Sequence, residues 1–185
     1  MLKTHYFFAL ALPEETKLFL KDQCERMGLP FRKWVHHEDY HLTFAFLGQA
    51  EENMLQDSAR FVGQAIERVE TFPLTIHTYG TFGRSDSPRI FWAGTKEEKR
   101  LDSLHRLVYE ACVKAGFSLD KKPFRPHITL ARKWEGTDHF PESAKEVLPP
   151  VQHTFQAAEV ALYQTHLDRN PKYEKKLSFN LEDID

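Results

Sequence analysis

The sequence predicts an α+β fold, and three observations carry that expectation. Short apolar runs with period-two alternation read as strands. Longer segments whose apolar residues recur three and four positions apart read as helices. The two kinds are mixed along the chain, with an echo between its halves: each half holds a helix, a short connection and a strand with nearly the same four residues. The chain has 185 residues, 41 % of them hydrophobic, enough for one domain with a real core.

His5 to Leu12 is apolar on both faces, as a central strand must be. Its start imitates a signal peptide, with Lys3 ahead of an apolar stretch and Ala9-Leu10-Ala11 resembling a cleavage box. The stretch is short and contains its own supposed cleavage site, so a first core strand is the better reading. Pro13 at the first helical position, with Glu14 and Glu15 in the first turn, opens a helix that Gly28 closes. Trp34 to His37 is a short strand or loop, and Tyr40 to Leu47 is a strand. Glu51 to Val69 has helical spacing. Phe72, Leu74 and Ile76 alternate as a strand does, Gly80 to Pro88 reads as a turn-rich connection, and Arg89 to Gly94 is a strand. Glu97 to Ala115 carries one apolar stripe and ends at Gly116. His127 to Lys133 is a strand that starts after Pro126. Glu135 to Pro150 is loop-like with room for a short helix. Ala157 to Thr165 and Tyr173 to Leu181 are late strands, the last with one wet face.

The echo lies in His41-Leu42-Thr43-Phe44 and His127-Ile128-Thr129-Leu130, 86 residues apart. On a strand, residues i and i+2 share a face, so each segment presents an imidazole beside a hydroxyl. With 10 His and 12 Thr, chance supplies about 0.6 His-x-Thr matches. Requiring an apolar residue after each lowers that to roughly 0.1, so two matches point to one site built from matching halves. His37-Glu38-Asp39-Tyr40-His41 also spells H-E-x-x-H, a zinc-peptidase signature. That chemistry needs a helix to bring both histidines to one metal, and the run from Leu42 to Leu47 reads as a strand.

The two motifs, with their surroundings, resemble the LigT-like branch of the 2H phosphoesterases, the RNA 2′,3′-cyclic phosphodiesterases also called 2′-5′ RNA ligases. The resemblance rests on His5 to Pro13, Tyr40 to Gly48, Gly80 to Gly83 with Pro88 to Trp92, and Phe124 to Arg132. His5 stands where this family often has arginine. Thr165 replaces an expected serine, and Asn170-Pro171 a more glycine-like turn. The resemblance implies a single two-lobed, pseudo-symmetric domain over 1–185. Antiparallel sheets line a central groove, helices lie outside, the histidines face each other, and no metal or other cofactor takes part. It implies hydrolysis of RNA 2′,3′-cyclic phosphate ends to 2′-phosphates, with His127 as base and His41 as acid. Arg132 would be the phosphate-binding arginine.

The residues can do that chemistry. One group must take a proton from water and another must give one to the departing ribose oxygen; histidine titrates near neutrality and serves either role. Thr43 and Thr129 can hydrogen-bond the non-bridging oxygens. Arg132 suits phosphate oxygens, but strand parity puts it opposite His127 unless a bulge intervenes. Arg125 reads as a solvated loop residue, and Phe8 and Phe46 as core rather than as base-stacking platforms. The remaining motif-free histidines, 36, 37, 77, 105, 139, 153 and 166, read as surface or structural.

Competing functions are a 2H enzyme acting on a small cyclic nucleotide or as a reversible 2′-5′ RNA ligase, a zinc peptidase, and a non-catalytic RNA-binding module. The last predicts loss of a motif histidine, and both are present. A net charge of −2 excludes a broadly basic coat for nucleic acid, so any RNA contact is local. Expected partners are RNA ends or nucleotides bearing a 2′,3′-cyclic phosphate, with no membrane and no obligate protein partner. Cys24 and Cys112 fall at apolar helical positions and read as buried free thiols, in keeping with a cytoplasmic protein.

Overall fold

Tyr6–Ala11 forms β1, and its alternation has two destinations. Phe8, Leu10 and the following Leu12 enter the main core, while Phe7, Ala9 and Ala11 join a smaller cluster with Ala161 and Tyr163 on the other face. A strand buried on both faces belongs mid-sheet, as expected. β1 pairs antiparallel with β3 (His41–Gly48) on one side and β8 (Glu159–Thr165) on the other. The computed structural model describes residues 4–141 and 148–183, so the short helix allowed for after Glu135 lies partly outside the described residues.

The helices follow their sequence stripes. α1 (Glu14–Met27) buries Thr16, Leu20 and Cys24 and ends at Gly28, whose φ of 58° is the left-handed cap a side chain would strain. Pro13 stands one place earlier than expected, as the cap itself, its carbonyl accepting from the Lys17 N–H. α2 (Glu52–Ile66) and α3 (Lys99–Lys114) turn Leu55, Val62 and Ile66, and Leu101, Leu104 and Val108, into the same core. Full burial of each such aliphatic side chain stabilises the fold by about 1.5–3 kcal/mol. Cys24 and Cys112 are free and buried there, as expected; burial pushes their thiols up to about 11 and about 12.

Among the described residues nine strands form one sheet. β4 (Phe72–Gly83) lies between β7 (His153–Ala157) and β5 (Pro88–Thr95), and β5 pairs β6 (His127–Trp134). β2 (Phe31–Trp34) also pairs β6, and β9 (Tyr173–Asn180) closes the far edge on β8. Every ladder between these strands is antiparallel. The two halves of the sheet, β7-β4-β5-β6 and β3-β1-β8-β9, meet between β3 and β6, where Leu42 opposite Ile128 is the one registered pair.

Three expectations change. Gly80 does not open a turn: β4 runs through it to Gly83. The glycine is a packing slot, since a Cβ there would lie 2.2 Å from the Trp92 indole laid across it. The strand expected over Ala157 to Thr165 is two strands, β7 and β8, separated at Ala158, and β7 begins at His153 in a stretch to which the sequence assigns no element. β9 exposes both faces along much of its length, Leu177 included, as an edge strand can.

Candidate active site

The two motif strands carry the same irregularity. In β3, Phe8 of β1 faces Ala45 while the next residue, Ala9, faces Thr43, leaving Phe44 as an extra residue. In β6, Phe91 of β5 faces Ala131 while Trp92 faces Thr129, leaving Leu130 extra. Each is a β-bulge. Its mark is a pair of adjacent buried residues, Phe44-Ala45 and Leu130-Ala131, in otherwise alternating strands. Simple parity turns Arg132 away from His127; the bulge shifts the phase, and both line one cavity. Lys133, immediately after, has a φ of 59°, a left-handed conformation that costs a non-glycine residue of order 1 kcal/mol.

The cavity, about 220 Å³, is lined by His41, Thr43, His127, Thr129 and Arg132. These are the five residues the sequence singles out. Phe7, Asp39, Phe46 and Tyr173 share the wall. Each catalytic candidate is held by a carbonyl two residues earlier: His41 Nδ1 lies 2.7 Å from the Asp39 oxygen and His127 Nδ1 2.7 Å from the Arg125 oxygen. A carbonyl only accepts, so both Nδ1 atoms carry hydrogen and donate. That leaves both Nε2 atoms free to exchange protons. His41 Nε2 accepts from the Thr43 hydroxyl at 3.0 Å.

Their surroundings differ. Phe7 lies 4.7 Å from the His41 ring and Tyr173 5.1 Å. This burial drives the His41 pKa down to about 4, against a partial opposing pull from the Asp39 carbonyl. His127 has Phe82 edge-on at 4.9 Å and is also lowered, chiefly by burial, with Arg132 adding to it. Asp39 is buried; its two carboxylate oxygens accept from the backbone N–H groups of Lys172, at 2.8 Å, and Tyr173, at 3.0 Å. One residue thus orients His41 through its carbonyl and fixes the start of β9 through its side chain.

H-E-x-x-H has the wrong backbone for a zinc peptidase. His37–Asp39 is a single 3₁₀ turn and His41 begins β3. His37 stacks on His36 instead, 4.6 Å away. Among the described residues no group of three or more His, Cys, Asp and Glu is placed to hold a metal ion, and no helix is long and apolar enough to cross a membrane.

Phe46 corrects the sequence reading. Phe8 is core as expected, but Phe46 is 57 % exposed and lines both this cavity and an adjoining hollow of about 580 Å³ that includes His105, Tyr109 and Phe124. The bulge explains it: one extra residue moves Phe46 from the core face to the groove. Arg125 also borders that hollow, yet its carbonyl is what serves His127. Phe7, Asp39 and Tyr173 line the site without any motif that marks them in the sequence. Phe7 and Tyr173 looked like core on alternation alone, and Asp39 like part of a charged loop.

Fold and site together define a two-histidine phosphoesterase arrangement, and comparison with known proteins agrees. Residues 20–169 match the model of the 2′-5′ RNA ligase superfamily. The chain belongs to that family, the 2H phosphoesterases. It is 34 % identical over 182 residues to the RNA 2′,3′-cyclic phosphodiesterase of Bacillus subtilis (strain 168), covering 97 % of this chain and 98 % of that one. It is 43 % identical over 183 residues to the Geobacillus stearothermophilus protein of the same name, where 98 % of this chain spans only 58 % of the relative. Among solved structures, E. coli LigT complexed with 3′-AMP superposes with a TM-score of 0.80 at 25 % identity, covering 97 % of this chain and 98 % of that chain. A structure from Thermus thermophilus gives 0.76 at 27 %, over 98 % and 100 %.

Proposed function

We propose that this protein is an RNA 2′,3′-cyclic phosphodiesterase that hydrolyses cyclic phosphate ends to 2′-phosphates. The observation that carries the reading is the pair of imidazoles with both Nδ1 atoms tied back to carbonyls and both Nε2 atoms left for chemistry, in one cavity with two hydroxyls and a guanidinium. The names of its relatives support the substrate class.

His127 takes a proton from water as the water oxygen bonds to phosphorus. The P–O3′ bond breaks, and His41 gives its proton to O3′, leaving a 2′-phosphate. Thr43, Thr129 and Arg132 hold the non-bridging oxygens while their charge grows. Burial keeps His41 neutral in the empty site, so it gains its proton as the phosphate anion enters and raises both imidazoles. No metal ion is called on. Phe46 offers its exposed ring to the nucleobase. The protein works in the cytoplasm and without an obligate protein partner.

Product analysis with a short RNA ending in a 2′,3′-cyclic phosphate tests this. A 2′-phosphate is the expected product. A 3′-phosphate, no product, or turnover confined to small cyclic nucleotides overturns the reading. Joined RNA halves as the main product would replace hydrolysis with 2′-5′ ligation, in which a ribose hydroxyl stands in for water.

A further inference from the structure

Beside the catalytic cavity lies a narrow cleft lined by Lys33, Arg132, Lys172, Asp39 and Tyr173, among others. Arg132, Asp39 and Tyr173 are shared by both spaces, so the cleft opens from the reaction site. Its charges are badly arranged for folding. Lys33 of β2 stands directly opposite Arg132 of β6, a like-charge cross-strand pair that destabilises a sheet. Lys172 comes in from the turn before β9 as a third cation. Among the described residues none of the three lies within ion-pair distance of a carboxylate. The one acid in the wall, Asp39, already has a backbone donor on each oxygen. Burial, then the closeness of Lys33 and Arg132, holds the Lys172 ammonium below the usual lysine range.

The cleft itself holds only about 20 Å³, so an anion that arrives with the substrate would meet these three cations, which have no anion of their own, at its mouth. We propose that Lys33 and Lys172, with Arg132 shared between the two spaces, form a second phosphate subsite, which takes the backbone phosphate on the 5′ side of the terminal nucleoside. Resting on the function proposed above, this makes the preferred substrate an oligonucleotide end rather than a nucleoside cyclic phosphate. Past the cleft, Trp34, Val35, His36 and Asn170 lead into a hollow of about 470 Å³, with room for the preceding nucleoside. The phosphate chain thus leaves by the cationic side of the site, and the terminal base lies on the Phe46 side. Lys33 and Lys172 are specificity-determining residues here and do not touch the reacting atoms.

Two measurements separate this subsite from the reaction itself. Binding of adenosine 3′,5′-bisphosphate is compared with that of adenosine 3′-monophosphate, for the wild type, Lys33→Gln, Lys172→Gln and the double variant. The wild type should bind the bisphosphate about tenfold or more tightly, with the advantage shrinking as salt is added. The double variant should lose that advantage and keep its affinity for the monophosphate. Either single variant gives the same reading should the double fail to fold. Equal binding of the two ligands by the wild type, or an advantage that survives the substitutions, overturns the subsite. In the second measurement, kcat/KM is compared for a dinucleotide and a nucleoside, each ending in a 2′,3′-cyclic phosphate. Equal values overturn the subsite and leave the hydrolysis standing. Bisphosphate preference with turnover of neither substrate overturns the hydrolysis and leaves the subsite standing.

Discussion

The strands β3 and β6 are one device up to their sixth residue and differ there. Both open with histidine, place threonine third and insert an extra residue fourth, and both hold the imidazole by the carbonyl two positions earlier. At the sixth position β3 has Phe46 and β6 has Arg132, and both side chains reach the groove. The repeated part is what acid-base chemistry needs twice. On the function proposed above, the unrepeated part would meet a substrate that has no symmetry, with a phosphate on one side and a base on the other.

The largest effect expected is from the repeated histidines. His41→Ala and His127→Ala should each lower turnover by about 10²–10⁴-fold while circular dichroism and thermal melting report an intact fold. Near-full activity in either would break the equivalence of the two strands. Next comes the sixth position. Arg132→Ala should cost about 10²–10³-fold in kcat, the scale for losing one charge-stabilising donor. Phe46→Ala should act mainly on KM, by about tenfold, because base stacking is worth ~1–3 kcal/mol. Matching kinetic signatures for the two variants would mean that the asymmetry is idle. Thr43→Val and Thr129→Val should lower the rate less than the histidine substitutions.

The pH dependence sharpens the comparison. Both imidazoles are pushed below the ordinary 6.5, His41 to about 4. The productive state needs one ring neutral and one protonated, so kcat/KM, which reports the free enzyme, should form a bell centred acid of pH 6.5. Once bound, the phosphate anion raises both rings, so the kcat bell should lie at higher pH. Its two limbs belong to the coupled pair rather than to either histidine. The threonine variants should leave both bells nearly in place. A flat profile, or a kcat/KM bell centred alkaline of 6.5, would break the burial argument. The smallest expected effect is none: EDTA should leave the rate unchanged, and loss restored by zinc would revive the H-E-x-x-H reading.

Much of this arrangement is legible in the residues themselves. Two histidine-threonine pairs announced a shared site because period-two alternation is a local property, and the helices announced themselves by stripes ending at Gly28 and Gly116. What escaped was set by partners distant in sequence. Nothing near Gly80 says that Trp92 will lie across it. A bulge looks like ordinary apolar sequence, since Phe44-Ala45 and Leu130-Ala131 break the alternation without a turn former. Alternation alone therefore turns Arg132 away from the site and sends Phe46 to the core, and only the family likeness assigns Arg132 to phosphate. Asp39 acts through residues 133 and 134 positions away, which no local pattern records.

The single registered pair between the halves, Leu42 with Ile128, has a consequence for how the fold spends its hydrogen bonds. β6 gives that edge first to β3 and then, from Ala131 to Trp134, to β2. The cavity lies over this seam, lined from β3 by His41, Thr43 and Phe46 and from β6 by His127, Thr129 and Arg132. The branch that replaces β3 brings Lys33 alongside Arg132. Handing one edge of β6 from β3 to β2 therefore sets positive charge at the cavity's edge.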